Sequence, residues 1–345
     1  MTETLNRYKK KIGLPRLIIT SLYLTLCIIA IFNDLPIGSL SSDTIKRFGM
    51  NGIMVLAMVP SIESGIGPNF GLPVGIICGL LGALFSFELL LTGAAGFWAA
   101  IAIAIPFAII AGGLYGHMLN KIKGSEMLVA TYTGFSAVFL MSIVWLVIPL
   151  NHPEMGWPIG AGLRNTISLE STYAKILNNF MSFTIGKFIF PTGLILFFFA
   201  MCAIQWVFSR SKTGVAMKAS GDNPKFALAS GINVDKCRLL GSVLSTVLGA
   251  VGIIVYAQSY GFIQLYEAPL MMAFPAVAAV LIGGASAKKV KISHVIIGTF
   301  LFQGLLTLAL PVADSVLQGG GLAEIIRMVV QNGIILYALT KVGGE

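Results

Sequence analysis

Residues 210–238 read RSKTGVAMKASGDNPKFALASGINVDKCR, a polar and basic segment set between two strongly apolar runs. Six cations fall in it: Arg210, Lys212, Lys218, Lys225, Lys236 and Arg238. Its middle carries helix boundary signals. Asn223 suits an N-cap, Pro224 the first helical position, and Gly231 the left-handed position just past the end. The spacing predicts a helix of about two turns over 224–230, with Phe226 and Leu228 as its large apolar side chains. A helix that short does not hold itself together in water. It is either part of a solvated basic loop lying on anionic lipid or a docking helix for a cytoplasmic partner.

The runs on either side fix the class. Hydrophobic residues make up 56% of the 345, charged residues 11%, and the mean hydropathy is +0.88. Soluble domains carry about 25% charged residues, so this is the composition of an all-α, polytopic membrane protein. The net charge of +9 reflects basic loops against an anionic leaflet rather than nucleic acid. About ten apolar segments are long enough, or nearly so, to cross a hydrocarbon core of ~30 Å. They lie near 14–33, 48–65, 71–91, 96–119, 126–149, 188–208, 239–260, 268–285, 293–311 and 323–341. With the N-terminus inside, 17 of the 23 basic residues fall on the inner side and 6 outside. That bias puts both termini and the 209–238 loop in the cytoplasm.

The whole chain, 1–345, thus reads as one transmembrane domain. Residues 150–187 form its largest outer segment, where prolines, glycines and Trp157 suggest a loop with short interfacial helices. The basic start, MTETLNRYKKKIGLPR, leads into an apolar run without a convincing cleavage site, which predicts a retained first span.

Residues 58–76, MVPSIESGIGPNFGLPVGI, interrupt the apolar pattern with three prolines, several glycines and one carboxylate. Irregular backbone at membrane depth persists only where protein or a water-filled cavity satisfies it. Glu63 there reads as a pathway group or as a helix end near the cytoplasm. Glu324 and Arg327, three apart on one face, can pair.

The chain holds no GxxxxGK[ST] phosphate loop, since Gly186–Lys187 is followed by Phe188. It has no HExxH, GxSxG or CxxC set, and its four cysteines lack metal-like spacing. No catalytic residue, bound cofactor or metal is expected in it. If ATP and Mg are used, a separate subunit binds them. The lack of acids deep in the spans argues against a proton-coupled carrier.

The segment ASGDNPKFALASGINVDKCRLL resembles the cytoplasmic loop of ABC-importer permeases of the ribose, branched-chain amino acid and autoinducer-2 class. That loop reads near A-x-G-x-N-x-x-A-A-x-x-x-G-I-x-V, matched here by Ala219, Gly221, Asn223, Ala227, Gly231, Ile232 and Val234. A second stretch resembles the family's "AIAAVVLGGTS…G…GTLIGALIL" through Ala278, Ala279, Val280, Leu281, Gly283, Gly284, Ser286, Gly298 and Thr299. It carries Lys288, Lys289 and Lys291 where the family has glycines. Residues 58–76 align with a "GGIDLSVGS" segment of sugar permeases but lack its aspartate, while Asn69 and Phe70 are similar to the "NF" of amino-acid permeases.

The resemblance implies a type II ABC importer permease of the inner membrane. Asp222, Asn223, Pro224, Phe226, Leu228 and Gly231 would then form the coupling helix that sits in a cleft of the ATP-binding cassette ATPase subunit. An extracytoplasmic solute-binding protein would dock on the 150–187 platform, and a second permease chain, identical or homologous, would complete the pathway. Asn69, Phe70, Phe274, Gln303 and Asn332 are the candidates to line it, because aromatics stack on sugar rings and amides bond hydroxyls. A simple sugar is the expected cargo, with nucleosides, autoinducer-2 and branched-chain amino acids open. The rival is an ATP-independent carrier or channel whose basic loop merely touches lipid. A membrane-embedded enzyme is a distant third.

Overall fold

The computed structural model describes residues 14–150, 152–157, 160, 162–317 and 320–340. Arg7, Lys9, Lys10, Lys11 and Lys341 of the charge bias lie outside the described residues. The chain is built from α1 (Leu14–Phe32), α2 (Ile37–Leu56), α3 (Met58–Glu63), α4 (Leu72–Glu88), α5 (Gly93–Lys121) and α6 (Glu126–Val147). An outer segment follows with β1 (Thr166–Ser168), α7 (Ile176–Asn179), β2 (Phe183–Ile185) and β3 (Phe188–Phe190). Then come α8 (Thr192–Arg210), α9 (Lys212–Asp222), α10 (Pro224–Ala229) and α11 (Val234–Tyr260). The chain closes with β4 (Phe262–Gln264), α12 (Ala268–Met271), α13 (Ala273–Ile282), α14 (Ile292–Leu317) and α15 (Gly320–Thr340). Among the described residues, α5, α6, α8, α11, α14 and α15 are long and apolar enough to cross a membrane, and α1, α4 and α12–α13 are shorter apolar segments.

Several boundaries differ from the sequence expectation. The span expected at 48–65 begins eleven residues earlier, at Ile37. Asp43, Lys46 and Arg47 lower the hydropathy of its first half without breaking the helix. The span expected at 268–285 is broken after Met271, beside Pro269 and Pro275. The span expected at 188–208 gives up its first residues to strand β3. The outer segment, expected to hold only short helices, also pairs strands. β1 joins β4 antiparallel, with Ile167 opposite Ile263, and β2 joins β3.

Helix α11 is the hub. On α4, Gly75 and Gly79 lie against its Thr246, Ala250 and Ile253; on α5, Gly112 and Gly116 lie against Thr246 and Ser242. Small residues let helices approach this closely where lipid offers no hydrophobic drive for association. The most apolar windows of α11 and α14 are 67% buried, whereas those of α6 and α15 are 17% buried. The first pair forms the interior and the second the rim. Connections alternate between two ends. One end gathers the 64–71 turn, α9, α10 and the 283–291 turn; the other gathers β1–β4 and the outer segment.

Candidate coupling and solute sites

The predicted two-turn helix is present as α10. Asn223 caps it by accepting from Phe226 N at 3.1 Å, and Gly231 follows at φ +77°. Phe226 and Leu228 are each 62% exposed, while Ala227 packs inward. Asp222, Asn223, Pro224 and Gly231 are exposed beside them. The segment before it, expected as loop, is the three-turn helix α9, capped by Ser211 accepting from Gly214 N. Its two glycines and two cations hide any apolar periodicity.

Helix α9 leans on the interrupted stretch. Glu63, the last residue of α3, is 7% exposed. It pairs with Lys218 Nζ at 3.1 Å and accepts from Ser209 Oγ at 2.8 Å. Of the two readings of Glu63, the helix-end one matches this geometry. Gly65 and Gly221 meet backbone to backbone: a Cβ on Gly65 would sit 2.8 Å from Gly221 Cα, and one on Gly221 would run into the Glu63 carbonyl. Arg238, at the start of α11, reaches the same turn. Its Nη1 donates to Gly65 O (3.2 Å), its Nε to Asn120 Oδ1 (3.0 Å), and its Nη2 pairs with Glu126 at 2.7 Å. The Glu126 and Arg238 side chains are only 16% and 8% exposed.

Much of the turn is bonded within the protein. Ser61 Oγ donates to Gly67 O (2.7 Å) and Ser245 Oγ donates to Ala57 O (2.6 Å). Asn69 uses both ends of its amide, donating to Ser245 Oγ at 2.7 Å and accepting from Tyr115 Oη and Gly71 N, each at 2.9 Å. Such internal partners are what irregular backbone requires at this depth.

The five candidate pathway residues do not converge. Asn69 is 1% exposed and fully engaged, so it braces the turn rather than facing a solute. Phe70 is 2% exposed and packs 5.9 Å from Phe274, which also meets Phe135 at 6.1 Å. Asn332 is exposed on the outer face of α15, turned away from the others. Gln303 alone of the five lines the cavity of about 240 Å³ between α2, α11, α13, α14 and α15.

Arg47, Asn51, Tyr256, Arg327 and Gln331 share that cavity with Gln303, and Met50, Met54 and Phe302 supply apolar wall. Glu267, an exposed residue, also lines it. Arg327 is held by both carboxylate oxygens of Glu324, its Nε at 2.9 Å, and Nη1 reaches Gln331 at 3.3 Å. The expected Glu324–Arg327 pair therefore forms and orients a cavity amide. Among the described residues no carboxylate pairs with Arg47. These groups come mainly from four helices, α2, α11, α14 and α15, and apart from Gln303 only the pair spacing of Glu324 and Arg327 marks any of them.

The family described as "Branched-chain amino acid transport system / permease component" matches residues 42–339. A nucleoside ABC transporter permease protein of Lactococcus lactis is 24% identical over 245 residues, 69% of this chain. The match spans 64% of that relative, less than two thirds of its length. The high-affinity branched-chain amino acid transport system permease protein of Salmonella typhimurium is 24% identical over 269 residues, covering 73% of this chain and 77% of its own. An autoinducer 2 import system permease protein of Photorhabdus luminescens is 23% identical over 275 residues, covering 78% and 74%.

Proposed function

This chain belongs to the branched-chain amino acid transport permease family, the non-catalytic membrane subunits of ABC importers, and from that membership we propose how it couples and what it carries. In this reading the membrane is crossed ten times in a type II layout, with both termini in the cytoplasm. The alternation of connections between two ends supports that count. Helix α10 docks in a cleft of an ATPase subunit that binds ATP and Mg, presenting Phe226 and Leu228 within the 209–238 loop. An extracytoplasmic binding protein delivers solute to the 150–187 segment, and a second permease chain closes the pathway.

The observation that carries the coupling reading is the continuous run of contacts from α10 into the spans. Helix α9 joins the docking helix to Glu63 and Gly65, and that turn is pinned in turn to α11 through Arg238. A push on α10 therefore reaches the interrupted helices through the Gly221–Gly65 backbone contact as well as through the Lys218 and Arg238 side chains. Affinity purification of the tagged chain from its own membranes tests it: a stoichiometric P-loop ATPase is expected, and a chain that stays alone after cross-linking in intact membranes overturns the reading.

For cargo, a simple sugar is the first choice. Asn51, Gln303, Gln331 and Tyr256 offer the donors and acceptors that hydroxyl groups need, in a cavity of about 240 Å³. The Lactococcus relative favours a second reading, a nucleoside, whose ribose presents the same hydroxyls. Uptake of labelled ribose and labelled uridine by cells with and without the chain separates the two. Gln303→Ala is expected to cut uptake of the true cargo at least five-fold, the order of one lost hydrogen bond. Uptake of neither solute, or uptake indifferent to Gln303, removes this cavity from the pathway.

A further inference from the structure

A second cavity, of about 330 Å³, opens at the α10 end between the end of α8, α9 and the approach to α14. Arg210, Lys218 and Lys291 line it with Glu63 as the one carboxylate. Lys218 is taken by Glu63, and among the described residues Arg210 and Lys291 have no carboxylate partner. The cavity thus holds a net excess of two positive charges.

Its mouth meets the exposed side of α8. Arg210 ends a lipid-facing stripe of that helix through Leu196, Phe199, Ala203 and Val207, spaced three and four apart. The indole of Trp206 lies under the Arg210 guanidinium at 3.8 Å, and Trp206 is 48% exposed. Tryptophan marks the headgroup level, and arginine at a helix end reaches out to it. An apolar track leading to a pair of uncompensated cations at headgroup depth has the chemistry of a phospholipid site. Basic pockets between spanning helices on the cytoplasmic side take anionic headgroups.

We propose that this cavity binds the phosphate-bearing headgroup of an anionic phospholipid, held by Arg210 and Lys291 with its acyl chain along the exposed stripe of α8. The site stands whichever solute or ATPase the chain serves. Because Lys218 lines the same space, the bound phosphate lies next to the Glu63–Lys218 pair that joins α9 to α3.

The test uses the full chain in nanodiscs of phosphatidylcholine, alone or mixed with phosphatidylglycerol, with retained lipid read by native mass spectrometry. The wild type is expected to retain phosphatidylglycerol in preference. Lys291→Gln alone weakens that preference about five-fold, and Arg210→Gln with Lys291→Gln about 25-fold, the order set by one surface cation each. Lys288→Gln with Lys289→Gln removes two exposed cations of the same end that lie outside the cavity, and leaves the preference within about two-fold. An equal loss in both double variants would mean diffuse surface attraction and overturns the site, as does no loss in the cavity variants. Inorganic phosphate at millimolar concentration, added to pure phosphatidylcholine discs, is the last arm. If it raises the thermal midpoint as much as phosphatidylglycerol does, the ligand is a free anion and the lipid assignment fails.

Discussion

Gly221→Ala probes the joint between α9 and the interrupted helix with one methyl group. No backbone strain is involved, because Gly221 has ordinary helical geometry at the end of α9. The cost is steric. The new Cβ would press on the Glu63 carbonyl and lie 2.8 Å from Gly65 N, about 0.6 Å short of the 3.4 Å at which ordinary contact begins. Both neighbours are backbone atoms of a turn pinned by Ser61, Asn69 and Arg238, so no side-chain rotation relieves the clash. Helix α9 must back away, stretching the 3.1 Å Glu63–Lys218 pair. Overpacking of this kind costs about 1–3 kcal/mol. The Asn223 cap of α10 is local and survives, so docking should persist while transmission suffers. Tagged wild-type and variant assemblies in vesicles are compared for ATPase co-purification, expected within two-fold, and for ATP hydrolysis, expected to fall roughly five-fold or more. Gly113→Ala, inside α5, is the control: its φ is ordinary and its Cβ meets nothing within 4 Å. Normal hydrolysis and a normal thermal midpoint in Gly221→Ala would refute the idea that this contact carries motion.

Phe226→Asp places a charge on a side chain that is already 62% exposed. The thermal midpoint should stay put while ATPase co-purification is lost; retained association would sink the docking assignment. Arg238→Gln strands Glu126 in a buried pair and removes the donor to Gly65 O, a loss of about 3–5 kcal/mol. A thermal-unfolding scan of the full chain should show it plainly, with Lys123→Gln, whose ion pair is exposed, nearly silent.

Local chemistry was the legible part of this fold. Asn223, Pro224 and Gly231 bound α10 because capping needs only neighbours along the chain. The apolar runs of α5, α6 and α11 announce themselves by length. Helix α2 hides its first half because Asp43, Lys46 and Arg47 depress hydropathy, although Arg47 lines the cavity and Asp43 and Lys46 pair with each other on the exposed side. The β1–β4 pairing joins three-residue strands almost a hundred positions apart, below any periodic signal. Asn332, named from the sequence, is exposed, and its unnamed neighbour Gln331 lines the cavity: adjacent helical residues point about 100° apart, and only packing decides which one faces inward. The cavity itself is a property of five helices meeting, so Arg47 and Tyr256 carry no mark of it in their own surroundings.

The glycine-lined seat of α11 also has a history in time. Val234 follows Lys121 by 113 positions, an interval on the order of 10 s at ~5–20 residues per second of synthesis. Throughout it, α4 and α5 stand in the bilayer with Gly75, Gly79, Gly112 and Gly116 facing a helix that has not yet been made. The innermost surface of the finished permease is thus, during biogenesis, a furrow open to lipid and to other helices. A chain fragment that stops before α11 keeps that furrow for good.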